Sequence, residues 1–436
     1  MTDVIVVGAG LAGLCCAREL QAHGIDVLVL ERGDGPGGRL HTDVVDGFLL
    51  DRGFQVLLSA YPEARRVLDY ERLGLRPFLS GAVIRGSSGF SRLADPLSHP
   101  LEAVRGLRRG PGTVADKLRV LRLRRRLARC SLHEVLTAPQ ITTAEALRRE
   151  SFSPAMIEGF FGPFFGGVFL DGSLTTSSRL FAFVFKMFAG GEAVLPAAGM
   201  QAIPRQLAQQ LPEGAVRYGC TVERTGPGEV ALAGGERLFA DAVVIATEGA
   251  EAARLTGVVE APAARATTCL YYAAERSPLA EPVLVLNGEG RGPLNELCVP
   301  SDVAPSYAPA GASLISTTII GIPALSDEAM DDAVRAQLGT WFGSQVRGWQ
   351  RLAVHRVPFA LPAQPPAALA EAERPVRLRD GLFVCGDHRD TASIQGAMVS
   401  GRRAAAAVRG VDTGPACALW TNAAPTSAFR PSRGPR

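Results

Sequence analysis

The residues of this chain best spaced to do chemistry are three glycines and one acid near its start. Gly8-Ala9-Gly10-Leu11-Ala12-Gly13 has the G-x-G-x-x-G spacing of a dinucleotide site. The first glycine permits a tight strand-to-helix turn. The second lets backbone approach a diphosphate, and the third lets the helix pack closely on its strand. N–H groups at the N-terminus of that helix, with Leu11 and Ala12 in the turn before it, then face the diphosphate. Glu31 is placed to accept hydrogen bonds from an adenosine ribose. An NADP site would favour a cation there, and Arg32 is the only nearby candidate.

These residues need a strand, a helix and a second strand to position them. Val4-Ile5-Val6-Val7 predicts a short buried strand, and Leu14 to Leu20 a helix that Gly24 can end. Asp26-Val27-Leu28-Val29-Leu30 predicts the second strand, with Glu31 at its end. With all four parts in register, a nucleotide site is favoured over a glycine-rich turn.

The run Arg32-Gly33-Asp34-Gly35-Pro36-Gly37-Gly38-Arg39 identifies the nucleotide. Acid, short spacer and Gly-Gly-Arg resemble the FAD-binding signature of the family holding monoamine oxidases, protoporphyrinogen oxidase and phytoene-type desaturases. In that family Gly37, Gly38 and Arg39 would run beside the FAD diphosphate. Asp51-Arg52-Gly53-Phe54-Gln55 is similar to the D-x-G segment that follows it. Near the other end, Gly381 to Asp387 predicts a buried strand ending in Gly386-Asp387, and Ser393 to Arg402 opens a helix. The resemblance implies that Asp387 bonds the ribityl and diphosphate region. It also implies that Ser393, Ile394, Gln395 and Ala397 bring a helix N-terminus to the flavin pyrimidine, where its positive end stabilises negative charge. Pro196 to Pro204 resembles the P-x-x-G-M segment that returns the chain to the FAD domain. By the same resemblance Val222 contacts adenine through its backbone, and the strand Ala240 to Thr247 ends beside the cofactor.

The implied fold class is α/β: a Rossmann-like FAD-binding domain with a second α+β substrate domain, a mixed sheet plus helices, in the amine oxidase and protoporphyrinogen oxidase architecture. The FAD-binding domain is expected over 1–80, 190–265 and 351–411. The substrate domain is expected over 81–189 and 266–350, with a flexible tail over 412–436.

Composition narrows the partners. The chain has 436 residues, 47% hydrophobic and 20% charged, enough for two to three domains. A net charge of +3 gives no reason to expect nucleic acid. No apolar run is long enough to span a membrane, and no metal site is implied. Eight cysteines without a C-x-x-C read as reduced core residues. Met1-Thr2-Asp3 leads straight into the first strand, so a cytoplasmic protein is expected.

Two stretches keep two readings each. Thr113-x-x-Asp116 is a capping box opening a helix over 113–129, with Val114, Leu118, Leu121, Leu123 and Leu127 as an apolar stripe and arginines elsewhere. It either lies on an anionic membrane surface or packs as a solvated basic helix. Residues 152–188 are rich in phenylalanine, from Phe160-Phe161 to Phe188, and either line an apolar pocket or form core.

The substrate is the least legible part. Members similar to monoamine oxidase carry a lysine on the strand resembling Thr267–Tyr272; here Thr267 and Thr268 stand there. Lysines occur only at 117 and 186, and folding could bring Lys186 near. Asp51-x-Gly-x-Gln55-x-Leu-Leu58-x-x-Tyr61 is similar to a segment of hydroxysqualene dehydroxylase and carotenoid desaturases. The expectation is an FAD-dependent oxidoreductase taking hydride from a lipophilic small molecule, with oxygen or another acceptor reoxidising the flavin. An amine oxidase, a non-redox flavin-fold binding protein and a redox-neutral isomerase are the alternatives. Tyr271, Tyr307, His388 and Gln395 are the catalytic candidates, His388 as an acid or base.

Overall fold

A computed structural model of the chain describes residues 2–94, 110–371 and 373–411, and shows two lobes. The proposed tail over 412–436 lies outside the described residues. The first lobe is built on a six-stranded sheet with the order Val216–Arg217, Val27–Leu30, Val4–Val7, Ala242–Ile245, Leu382–Val384 and Arg377–Arg379. The first five strands are parallel and the edge strand is antiparallel. Val4–Val7 is buried at every position. A strand covered on both faces by connecting segments needs such an unbroken apolar run. Helix Leu11–Gln21 follows at once, three residues longer at its start than expected, because Gly10 already serves as its N-cap. A three-stranded antiparallel sheet of Val222–Gly226, Glu229–Leu232 and Arg237–Phe239 completes this side.

The second lobe carries a seven-stranded mixed sheet: Gln350–Pro362, Ala264–Ala274, Ser313–Ile320, Glu296–Cys298, Leu284–Asn287, Gly81–Gly86 and Gly89–Ala94. All neighbours are antiparallel except Leu284–Asn287 with Gly81–Gly86. Ala264–Ala274 shows why a central strand alternates its contacts. Leu270, Tyr272 and Ala274 join the core under helix Asp327–Phe342, whereas Cys269 and Tyr271 face the large core shared with the helices of 114–190.

The domain boundary at 351 is corrected by this sheet. Gln350–Pro362 is its edge strand, pairing with Ala264–Ala274 from Ala264↔Pro362 to Ala273↔Gln350. Its side chains are half-buried or exposed throughout, so no alternation in the sequence assigns it to either lobe.

The basic helix spans Val114–Arg129, capped by Thr113 and Asp116 as expected. Its buried face differs from the proposed stripe: Asp116, Leu123 and Leu127 are buried, whereas Val114 and Leu118 are 50% and 60% exposed. Asp116 is tolerated inside because its carboxylate accepts from Thr113 and Ser153. No helix among the described residues is long and apolar enough to cross a membrane.

Candidate active site

The two lobes enclose one connected cavity of about 1830 Å³, more than the roughly 300–1,000 Å³ of a site for one drug-sized ligand. It runs from the glycine turn of the first lobe to the helices of the second.

The first arm gathers most of the residues expected to bind a nucleotide. Gly8, Gly10, Leu11, Ala12, Glu31, Arg32, Gly37, Gly38, Arg39, Val222, Thr247, Gly386, Asp387, Ser393, Ile394 and Ala397 all line it. Gly8 has φ +108°, and a side chain at Gly10 would meet nothing within 4 Å, so the turn presents bare backbone to open space. Gly13 does not line the cavity. A Cβ there would come 2.0 Å from the Gly8 carbonyl oxygen, so this glycine seats the helix on its strand. Glu31 is held by Ala9 N–H at 2.8 Å and Gly33 N–H at 2.7 Å. Each carboxylate oxygen keeps a further acceptor site. Arg39 donates to Ala360 O at 2.9 Å and pairs with Asp387 at 2.7 Å.

Two buried polar atoms on this wall, Thr247 Oγ1 and Gln55 Oε1, have no hydrogen-bond partner among the described residues. Buried polar groups are almost always satisfied. An open glycine cradle, a helix start without a side-chain cap at Gly10, an orphaned amide oxygen and an orphaned hydroxyl together fit a polar dinucleotide such as FAD.

None of the four catalytic candidates lines the cavity, and each has a different reason. Tyr271 donates to the Asp51 carbonyl, and Tyr307 donates to Asp51 Oδ2 at 2.8 Å. Thr42 Oγ1 and Met200 N–H also donate to this carboxylate; burial pushes its pKa up to about 6. The tyrosines therefore brace the segment that delivers Gly53, Phe54 and Gln55 to the cavity wall. His388 packs against Gly386 with neither ring nitrogen partnered among the described residues. Burial draws its pKa down to about 4, so the ring is neutral. Gln395 turns away from the cavity, and its Oε1 accepts from Glu63 N–H at 2.9 Å. Of the residues expected at this helix start, Ser393, Ile394 and Ala397 line the cavity and Gln395 does not.

The second arm is apolar, and the phenylalanines divide. Phe160, Phe164, Phe165, Phe169, Phe185 and Phe188 line it, whereas Phe161, Phe181 and Phe183 are core. The basic helix forms another wall through Lys117, Leu118, Val120, Leu121 and Arg124. Lys186 is far from this role: its Nζ donates to Leu127 O at 2.8 Å, capping the C-terminal end of the basic helix. Thr267 reaches the cavity, but its hydroxyl is committed to Ile319 O at 3.0 Å. Thr268 bonds Gly321 O instead.

Among the cavity residues that the sequence reading leaves unmarked, one is a buried acid. Glu296, 4% exposed, lies on a strand of only three residues and lines the apolar arm. Its one sequence signal is a lone acid between Leu294 and Leu297.

Residues 11–409 match the family model described as flavin containing amine oxidoreductase. Over 276 residues the chain is 30% identical to the zeta-carotene-forming phytoene desaturase of Myxococcus xanthus, an alignment covering 55% of this chain and 52% of that protein. The chain thus spans about half the length of this curated relative. Among solved structures, putrescine oxidase bound to putrescine superposes with a TM-score of 0.70 at 17% identity, covering 94% of this chain and 99% of that one. Reduced UDP-galactopyranose mutase superposes at 0.71 with 14% identity, covering 97% and 98%. These two likenesses are likenesses of fold.

Proposed function

The chain belongs to the flavin containing amine oxidoreductase family, and on that premise we propose that it is an FAD-dependent oxidoreductase acting on a lipophilic, uncharged small molecule. The observation that carries this reading is the continuity of the cavity, from bare glycine backbone and Glu31 at one end to a phenylalanine-lined arm at the other. Bound in the first arm, FAD supplies a two-electron acceptor for a hydride leaving a substrate carbon.

The protein's own part is binding, orientation and exclusion of water. Gly10, Gly38 and the start of helix Leu11–Gln21 would take the diphosphate, Glu31 the ribose and Val222 the adenine end. Asp387, steered by Arg39, would take the ribityl region. Phe160, Phe164, Phe185 and Phe188 would hold hydrocarbon, whose transfer from water stabilises the complex by roughly 0.8 kcal/mol per buried CH₂. The fold itself does not choose the reaction, since amine oxidation and a mutase share it. Thr267 offers no amine on the sheet, which disfavours the lysine-dependent amine chemistry.

Anaerobic titration of the purified, FAD-loaded protein tests the reading. A neutral isoprenoid should bleach the flavin bands, and a lipophilic primary amine should not. Bleaching by the amine alone would replace this proposal with amine oxidation. A protein that purifies colourless and takes up no FAD would remove the redox reading altogether.

A further inference from the structure

The apolar arm contains one buried acid that neither the cofactor arm nor the ion pairs of the surface use. Glu296 extends from the strand Glu296–Cys298 toward helix Gly162–Phe169, among Phe164, Phe165 and Val168. The helix is shaped to receive it. A Cβ at Gly167 would stand 2.0 Å from Glu296 Oε2, so only glycine leaves the notch that admits the carboxyl. Gly167 and Glu296 both line the cavity.

The carboxyl is held rather than neutralised. Asn295 Nδ2 donates to Glu296 Oε2 at 2.8 Å and to Pro163 O at 2.8 Å, pinning the acid to the helix. Thr318, opposite Glu296 on the neighbouring strand, is a further hydrogen-bond partner and also lines the cavity. Cys269 follows Thr318 in register on the next strand, and Thr267 lies two residues along on the same face. Glu296 and Thr318 are therefore paired polar groups on the sheet wall of the arm, facing its phenylalanines. Burial raises the carboxyl pKa to about 7, so a neutral form that both donates and accepts is available near neutral pH.

Isolated acids are not placed among phenylalanines for stability, because burying a carboxyl among apolar groups costs free energy. Resting on the reading above, we propose that Glu296, with Thr318 beside it, is the specificity determinant of the apolar arm and binds the hydroxyl head of an otherwise hydrocarbon substrate. The hydrocarbon lies along Phe160, Phe164, Phe185 and Phe188, and the hydroxyl fixes how far it slides. The substrate class is a hydroxylated isoprenoid-like or long-chain hydrocarbon rather than a pure hydrocarbon.

Calorimetric titration of the FAD-loaded protein with geraniol and with the hydrocarbon myrcene tests this. Geraniol should bind at least about tenfold more tightly, the size of one buried hydrogen bond to a carboxyl. Glu296→Leu should bind the two alike, and Glu296→Gln, which keeps hydrogen-bonding capacity, should retain the preference. Should the leucine variant fail to fold, Glu296→Met supplies the same loss in a flexible side chain. Equal binding of both probes by the unsubstituted protein overturns the proposal, as does a preference that survives in the leucine or methionine variant. Geranylamine binding more tightly than geraniol, with affinity climbing from pH 6 to pH 8, also overturns it and makes Glu296 an ammonium site. Flavin bleaching is read separately: geraniol that binds through Glu296 without bleaching leaves this inference standing and removes the oxidation reading.

Discussion

Arg39 and Asp387 come from opposite ends of the chain and meet at 2.7 Å on the wall of the cavity, Asp387 5% exposed and Arg39 33%. This contact joins the Gly-Gly-Arg segment to the Gly-Asp strand end, the two stretches from which the cofactor was read. Asp387→Ala leaves a guanidinium at the cofactor wall without its carboxylate and removes a group expected to touch FAD. The apoprotein's Kd for FAD should rise by about ten- to a hundredfold, the loss of one or two charge-assisted hydrogen bonds. Flavin released per protein on dilution and fluorescence titration of apoprotein read this. An unchanged Kd would take Asp387 out of the cofactor site.

Gly10 and Gly13 have different jobs in one motif, and substitution separates them. Nothing lies within 4 Å of a Cβ at Gly10, so Gly10→Leu should leave the apoprotein's melting temperature nearly unchanged while its side chain fills the diphosphate cradle. Flavin content should fall to near zero. Gly13→Ala instead forces a Cβ to 2.0 Å from Gly8 O, so the helix must lift off its strand. That variant should lose several degrees of melting temperature even without cofactor. Equal melting losses in the two variants would contradict the division.

The phenylalanine cluster offers the same kind of contrast. Phe161 is fully buried and packs on Phe152, Phe160 and Phe165 without touching the cavity. Phe161→Ala should cost about 3–5 kcal/mol of stability, the range for truncating a core aromatic. Phe164 borders the cavity, so Phe164→Ala should cost clearly less stability and weaken binding of a hydrocarbon probe by about tenfold. Thermal melts and probe titration on both variants give the comparison. Probe binding that suffers equally in both would mean the arm is not the binding surface.

Local patterns carried most of the fold into the sequence, and long-range placement carried most of what was illegible. Val4–Val7, the turn at Gly8 and the capped helix Val114–Arg129 follow from near-neighbour patterns, and they form where expected. The resemblance placed both Arg39 and Asp387 beside the FAD diphosphate, a long-range neighbourhood that no local pattern contains; their ion pair is visible only in the structure. The four catalytic candidates lie off the cavity wall, because residue type alone does not say which way a side chain points. Tyr271 and Tyr307 satisfy their hydroxyls on Asp51, and Gln395 satisfies its carbonyl on Glu63, so all three are turned inward. Glu296 was hidden for the converse reason: a strand of three residues has too short a pattern to register, and its notch at Gly167 exists only once helix meets sheet.

That buried acid also sets a pH dependence whose sign follows from its raised pKa. In the unfolded chain a glutamate titrates near 4.5; in the folded protein burial raises Glu296 to about 7. The folded state therefore keeps its proton to higher pH, and the resulting stability is fully present below pH 4.5. It is lost progressively as pH rises through 7 and changes no further above it. The loss across that window is on the order of 3 kcal/mol. Asp51, raised to about 6, and Asp390, raised to about 7, add losses of the same sign, so the unsubstituted protein alone cannot isolate Glu296. Glu296→Gln can, because an amide does not titrate there. Relative to the unsubstituted protein, the variant should gain a few degrees of melting temperature on going from pH 5 to pH 8 at matched FAD saturation. Parallel melting curves across that range would show that Glu296 is already ionised at pH 5, held by a cation or by water that has entered the arm.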